Sequence, residues 1–269
     1  MSYQDELQRL VEAKASMRQS IIDKGVEVPD DAKIEDYAGY ILQIEGGGSW
    51  DPDNPTLESL AEAIKSGKDI KIGLEIPDFY TYSSYYEHPL IVAHKLDSSN
   101  NAGYGGAEGY ILVRKSVSPI SQVFNGSSKS SYPDSDVFEW LNGTQLNGCT
   151  DELRQCISPF SVPYYNGSSI VEVSSMAHLI SGTEMNGTPN TGEGTVWDLW
   201  KERTGLSSPS NGDNSGRIGI GQGVAQPYWL RSRKSSSDVY YVTRTGSITS
   251  ISAGRTATFG ILPAFFISR

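Results

Sequence analysis

Asn-Gly occurs six times in this 269-residue chain, at 125, 142, 147, 166, 186 and 211, and no other feature limits its fold more tightly. Both residues enter the left-handed backbone region at little cost, so the pair marks tight turns. Turns at this density leave only short elements between them. The apolar runs agree: "IKIGLEIPD", "PLIVAHKL" and "GYILVRKSV" are rich in β-branched residues and have the length of strands. The pairs at 125, 142, 166 and 186 precede Ser or Thr and so fit a glycosylation pattern, but they read as turns. Two short helices are expected among the strands, near "DSDVFEWLNG" and "TDELRQCI", each opened by Ser, Asp or Thr with acids in its first turn.

The first fifty residues follow a different period. Ser2 can cap a helix that places Leu7, Leu10, Met17 and Ile21 on a heptad seam with Lys14 at its middle position. Gly25 is a C-cap, Pro29 blocks continuation, and Ile34, Tyr37, Ala38, Ile41 and Leu42 form the stripe of a second helix. The stripe suits self-association and an intramolecular helical hairpin equally well. "EGGGSW" then has the composition of a joint. The expected organisation is a helical attachment or oligomerisation segment over 1–45, a Gly-rich linker over 46–55 and one domain over 56–269. That domain opens with a helix over "TLESLAEAIKSGK", capped by Thr56 and ended before Gly67. The fold class is α+β.

Charge and reactive residues narrow the chemistry. A net charge of -10 argues against nucleic acid as a partner, because phosphate binding needs a positive field. Charges begin at the fifth residue and no eighteen apolar residues run together, so neither a signal peptide nor membrane insertion is expected, and synthesis is cytoplasmic. Cys149 and Cys156, with no nearby His, read as buried free thiols. His88, His94 and His178 are scattered and read as structural or solvated. "GIGQGV" lacks the Lys-Ser/Thr of a phosphate loop, and no G-x-S-x-G is present. The acid pairs Asp134/Asp136 and Glu184/Glu193 could hold calcium, although the first belongs more naturally to a helix cap. No metal, cofactor or catalytic residue is expected, and the chain is read as not an enzyme.

The C-terminal stretch "VYYVTRTGSITSISAGRTATFG", 239 to 260, keeps a firm apolar frame among small polar side chains. Val239, Val242, Ile248 and Ile251 supply the frame, Gly246 turns a hairpin, and Trp229 and Leu230 before it and "GILPAFFISR" after it brace both ends. Asp238, Tyr241, Thr243, Arg244, Thr245, Ser247, Thr249, Ser250, Ser252, Arg255 and Thr256 are expected to share one continuous exposed face. That face is an ordinary polar sheet surface or a paratope, in which rigid aromatic anchors sit beside adaptable hydrogen-bonding groups.

"YWLRSRKSSSDVYYVTRTGSITS" with "GILPAFFI" resembles the closing motif of bacterial and phage domains related to the C-type lectin and formylglycine-generating-enzyme fold: Y-W-L-R-S, then Y-x-V-x-x-x-G, then G-V-R-P-A-F. "SYPDSDVFEWLNGTQLNG" is similar to the family's S-x-[VI]-x-x-W-L-N segment and "GYILVRKSV" to an early strand, so the resemblance spans about residues 70 to 269. It implies a C-type lectin-like domain. Among such domains, variable proteins of diversity-generating retroelements carry a C-terminal segment mutated at adenines, which turns Asn codons into many others; here it would cover about 229–265. Carried over position by position, the resemblance implies ligand-binding, variable sites at Ser237, Asp238, Tyr241, Thr243, Thr245, Ser247, Thr249, Ser250, Ile251, Ser252, Thr256 and Phe259, with Arg233, Arg244 and Arg255 beside them. Lys234 is not reachable from an Asn codon in that way. The chain departs from the pattern at Leu262, where the family has Arg, and it has no cysteine after Cys156, so the copper-binding pair of the oxidising branch is missing.

"MRQSIIDKGVEVPDDAKIEDYAGYILQI" resembles helical segments of phage tail and tail-fibre proteins. The resulting expectation is a phage tail receptor-binding protein, located in the virion as a homotrimer. It would be joined to other tail proteins through its N-terminal segment and would recognise a bacterial surface protein or glycan in host attachment. The alternatives are a fixed structural protein of the tail or envelope and a glycan-active enzyme built on the acid pairs.

Overall fold

In a computed structural model the first helix, α1, runs over Tyr3–Ile22 and begins the smaller of two units, Met1–Asp51 and Pro52–Arg269. The structure describes residues 3–23, 25–43, 50–77, 89–118, 121–127, 130–187, 192–204, 215–254 and 256–269. Ser2, residues 46–49 of the expected linker and His88 lie outside them. Gly25, at φ +85°, reverses the chain after α1, its N–H donating to the Ile22 carbonyl at 2.8 Å. Val26, Val28, Ala32 and Tyr37 then close on Ile21 to form a small core. Arg18 fastens the return, reaching the Val28 carbonyl and the Asp30 carboxylate, each at 2.6 Å.

This hairpin, completed by α2 (Tyr37–Gln43), uses only Ile21 of the heptad seam. Leu7, Leu10 and Met17 stay 52, 55 and 42 % exposed. Ile34, expected on the buried stripe, is also exposed because residues 34–36 form a 3-10 turn, whose three-residue period swings it off the α-helical stripe. The side chains of Ile41 and Leu42 lie outside the described residues.

In the larger unit, α3 (Leu57–Lys65) starts as its sequence predicts. Thr56 Oγ1 accepts the Ser59 N–H at 3.1 Å and Ser59 Oγ accepts the Thr56 N–H at 3.0 Å, two otherwise orphaned donors satisfied reciprocally. Leu57, Leu60, Ala61 and Ile64 are buried. The strands of the main sheet are β1 (Glu75–Ile76), β2 (Leu90–Leu96), β3 (Gly109–Arg114), β6 (Ala177–Leu179) and β12 (Pro263–Ser268). Their order is β1-β2-β3-β12-β6, all antiparallel, so the C-terminal strand sits inside the sheet. β1 is shorter than "IKIGLEIPD" predicts because the chain turns at Gly73, φ +83°.

Side-chain alternation gives this sheet two covered faces. Ile91, Ala93, Ile111, Val113, Ala264 and Phe266 join the main core, while Leu112, Phe265 and Ile267 turn to the other side, where α3 packs on β12. The main core is closed by a three-stranded sheet, ordered β11 (Ile248–Ser252), β10 (Asp238–Val242), β9 (Tyr228–Arg233), through Leu230, Val242 and Ile248. Trp197 and Trp200, beside and within α6 (Asp198–Thr204), fill the same core. Two ribbons complete the unit, β4 (Phe160–Tyr165) with β5 (Ile170–Ser175) and β7 (Gly219–Gly221) with β8 (Val224–Gln226). This mixture of helix and antiparallel sheet, with a small helical N-terminal unit, is α+β.

The helix expected near "DSDVFEWLNG" is α4 (Asp136–Trp140), extended by a π-helical turn over Leu141–Gln145, and α5 spans Asp151–Cys156. Asn142-Gly143 is therefore helical and not a turn. The asparagine side chain instead meets a strand. Its Nδ2 donates to the Ala177 carbonyl and its Oδ1 accepts the Ala177 N–H, both at 3.0 Å, so one side chain pairs with an edge strand as another strand would. Asn166-Gly167 does link β4 to β5, and Asn186 adopts φ +62° in a turn; the pair at 211 lies outside the described residues. Cys149 is buried and Cys156 half-buried, both as free thiols, and burial pushes the Cys149 thiol up to about 11. No helix among the described residues is long and apolar enough to cross a membrane.

Phe266 fills the core from the middle of the sheet, so Phe266→Ala is expected to cost about 3–5 kcal/mol. Urea denaturation would show this as a lowered midpoint at an unchanged slope.

Candidate functional site

The three-stranded sheet carries most of the residues that the sequence singles out, and its register sorts them. Tyr241 lies opposite Thr249 on β11 and Trp229 on β9, while Val242 lies opposite Ile248 and Tyr228. Val242 and Ile248 face the main core with Tyr240 packed beside them. By alternation, Asp238, Ser250 and Ser252 share that core-side face toward its open end, whereas Tyr241, Thr249 and Ile251 lie on the opposite face. The single continuous exposed face is thus not formed. A β-hairpin presents two faces, and the expectation merged them.

On the outer face three aromatic rings meet. Tyr241 and Phe259 stack with centroids 4.5 Å apart and planes 35° from parallel, and Trp229 lies 4.5 Å from Phe259 and 6.2 Å from Tyr241. Trp229 is buried and fixed from below, its indole N–H donating to the Gln122 carbonyl at 2.7 Å, with Phe124 edge-on at 5.6 Å. Phe259 is held by a β-bridge to the same Gln122. Tyr241 and Phe259 remain half-exposed and, with Pro227, Thr243, Arg244 and Thr245, line a cleft of about 370 Å³.

The rim of this cleft is the β10–β11 turn. Thr243 N–H donates to the Ser247 carbonyl at 2.9 Å, and Gly246, at φ +86°, takes the left-handed position and donates to the Thr243 carbonyl at 3.1 Å. Thr243 Oγ1 accepts the Ser247 N–H at 3.2 Å and lies 3.0 Å from Thr245 Oγ1. From behind, the buried Arg217 donates Nε to the Gly246 carbonyl at 3.1 Å and Nη1 to the Asn186 carbonyl at 2.9 Å. Arg244 and Thr245 are exposed at the tip.

The remaining candidates sit elsewhere. Arg233 is half-buried and engaged with the Ser235 and Asn166 carbonyls, which ties the β9–β10 loop to the β4–β5 turn. Ser235 Oγ organises that loop by accepting the Ser237 and Asp238 N–H groups, and Ser250 Oγ accepts from Lys234 at 3.0 Å. Ser237, Asp238, Ser250 and Ser252 therefore form a second polar group at the far end of the hairpin from the cleft. Thr256 is exposed, and Arg255 lies outside the described residues. Leu262, which stands where the resembled pattern has Arg, is buried in the main core.

Behind the sheet lies a buried ion pair that sequence reading did not assign. Arg231 and Glu184 are both fully buried, bridged by Nη1 to Oε2 and Nη2 to Oε1 at 2.6 Å each. Arg231 also donates to the Pro163 carbonyl at 3.1 Å and the Leu179 carbonyl at 2.8 Å. Glu184 accepts from the Tyr104 hydroxyl at 2.7 Å and the Ser181 N–H at 2.9 Å, and Trp197 Nε1 donates to Tyr104. Glu193, also buried, accepts the Tyr165 N–H. Of the acid pair read as a possible calcium site, Glu184 thus pairs with a guanidinium, and Glu193 offers the same group its backbone carbonyl at 3.4 Å. Desolvation pushes the Tyr104 hydroxyl far above its ordinary value, which keeps it a donor.

His94 and His178 are both buried. His94 Nδ1 meets the Asp198 carboxylate at 2.8 Å, and that hydrogen bond holds Asp198 down at about 2. His178 donates from Nε2 to the Phe160 carbonyl at 2.9 Å, and desolvation lowers it to about 3, so it is neutral in the folded chain. A larger cleft of about 650 Å³, lined by residues including Lys115, Ser116 and Ile220, contains none of the residues selected from the sequence, and its Lys115 is taken up by Glu75 at 2.6 Å.

These features define an α+β domain with an aromatic, polar-rimmed cleft on a C-terminal hairpin. Residues 107–269, which include the whole three-stranded sheet and the ion pair behind it, match the DUF6273 family, described as a domain of unknown function, and the chain belongs to that family. No curated protein and no solved structure matches it.

Two measurements check the frame. Glu184→Gln leaves a buried guanidinium without its counter-charge and is expected to cost about 3–5 kcal/mol, while the double change Arg231→Met with Glu184→Leu is expected to cost less than either single change. For His178, the folded value lies below the unfolded 6.5, so its stabilising contribution is complete above pH 6.5 and drains away as pH falls toward 3. Stability measured by denaturation across that window should fall by up to about 1.4 kcal/mol per pH unit from this group, and His178→Gln should flatten the slope.

Proposed function

We propose that the protein is a receptor-binding protein of a phage tail, whose C-terminal hairpin presents side chains to a ligand on the bacterial surface and whose sequence there is diversified by a retroelement. One observation carries the reading. Tyr241, Thr243, Arg244, Thr245 and Phe259, all selected as variable positions, line one cleft, while Val239, Val242 and Ile248 between them are buried frame. Three groups that hold the hairpin, Arg217, Trp229 and Arg231, lie outside the selected set, while Thr243 and Arg233 within it also brace its turn and the β9–β10 loop. Replacement at Tyr241, Arg244, Thr245 or Phe259 therefore leaves those three supports intact, as a diversified binding face requires. The burial of Glu184 and Glu193 favours binding over glycan cleavage, since a general acid must reach its substrate.

The N-terminal unit serves attachment and assembly. Leu7, Leu10 and Met17 are left outside the α1–α2 core at heptad spacing and suit the seam of a homotrimer, with Lys14 at one core position. Several copies on one particle would raise apparent affinity by about 10² to 10⁴.

Deep sequencing of the gene from its source population should find substitutions concentrated at the selected positions and a nearby Asn-rich near-copy of codons 229 to 265; a uniform segment without a near-copy would remove the diversified reading. Tyr241→Ala is expected to weaken attachment to host cells by about 2 kcal/mol or more, with melting temperature compared in parallel. Sedimentation equilibrium should report three times the 29.3 kDa chain mass, and Leu10→Glu should return the monomer.

A further inference from the structure

The geometry points to a carboxylated sugar residue, of the uronic-acid kind, as the group taken up by the cleft at Tyr241 and Phe259; this rests on the receptor-binding reading above. The cleft has three parts of different chemistry. Its floor is the offset stack of Tyr241 on Phe259, backed by Trp229 and held by main-chain bonds to Gln122. Such a floor offers flat apolar area at little conformational cost, and the C–H face of a pyranose ring lies flat on it. Its rim bears the hydroxyls of Thr243 and Thr245, 3.0 Å apart; Thr243 Oγ1 already accepts the Ser247 and Thr245 N–H groups, so Thr245 Oγ1 is the hydroxyl left to donate to and accept from a sugar.

Its third part is Arg244, the one guanidinium or carboxylate among the described residues that line the cleft. Arg244 is exposed and forms no ion pair among the described residues, in a chain of net charge -10. A guanidinium free to close on a carboxylate in two parallel bonds supplies both charge and geometry. With no acid among the described residues of the lining, the ligand's carboxylate needs no bridging cation. An extended peptide would dock instead by main-chain bonds. Here the turn's main chain is already committed, Thr243 N–H to Ser247 and Gly246 N–H to Thr243, so recognition falls to rings and hydroxyls.

The test uses the full chain with methyl β-D-glucuronide, methyl β-D-glucoside and N-acetyl-aspartyl amide, followed by saturation-transfer NMR and chemical-shift titration. The glucuronide should bind with saturation of its ring C–H protons and more tightly than either comparator. Arg244→Gln, an exposed change that leaves the melting temperature in place, should weaken the glucuronide by about tenfold or more and leave the glucoside unchanged. Tyr241→Ala should remove the saturation transfer. Equal affinity for glucuronide and glucoside, insensitivity to Arg244→Gln, or tighter binding of the aspartyl amide would overturn the assignment. Attachment to host cells separates the two readings. Attachment that saturating glucuronide does not compete overturns the sugar and leaves the receptor function standing, whereas glucuronide binding without attachment to any host leaves the sugar site and removes the receptor.

Discussion

The larger unit is organised around one buried ion pair. Arg231 comes from the first strand of the C-terminal sheet, Glu184 from the turn after β6, and the carbonyls that complete the guanidinium's coordination come from Pro163 and Leu179. Removing two charges from water costs several kcal/mol each, and only near-complete satisfaction offsets that. Tyr104, Ser181 and Trp197 extend the network until each carboxylate oxygen has partners. An apolar core could supply comparable stability. What the ion pair adds is direction, because a fork-shaped donor accepts one arrangement of three chain segments, and the position of β9 then sets where β10, β11 and the cleft fall.

Much of the framework was legible beforehand. The cap at Thr56, the reversal at Gly25 and the hairpin at Gly246 depend on local chemistry within a few residues, and each appears where its residues are. Which face of the hairpin meets the core was not legible. Alternation predicts which residues share a face, but it does not say which face meets the core until Tyr240, Val242 and Ile248 are seen packed against it. β4 was missed for a related reason: Pro163 interrupts "FSVPYY" and lowers its strand signal, yet Pro163 contributes a carbonyl, which proline keeps. Asn142 shows the opposite failure, a turn signal spent on pairing with a distant strand edge.

The cleft itself was half legible. Tyr241, Thr243, Arg244, Thr245 and Phe259 were selected together, but as members of a longer series in which nothing set them apart. Three long-range facts separate them: Trp229 beneath Tyr241, Phe259 returning to the same spot after the second strand, and Gln122 holding both from a loop more than a hundred residues earlier. Glu184 pairs with an arginine of the same chain, whereas the Glu193 carboxylate accepts the Tyr165 N–H and its backbone carbonyl meets that guanidinium.

Arg217 grips the hairpin tip through the Gly246 carbonyl and ties it to the turn at Asn186 through that residue's carbonyl, groups that every amino acid carries. A side-chain anchor would have to be conserved along with the tip it held. A main-chain anchor makes no demand on which side chains stand at 244 and 245, whereas Thr243 Oγ1 itself braces the turn. Among random sequences at 244 and 245, the fraction that folds should therefore stay high, and differences between them should appear in what is bound and not in how much protein is made.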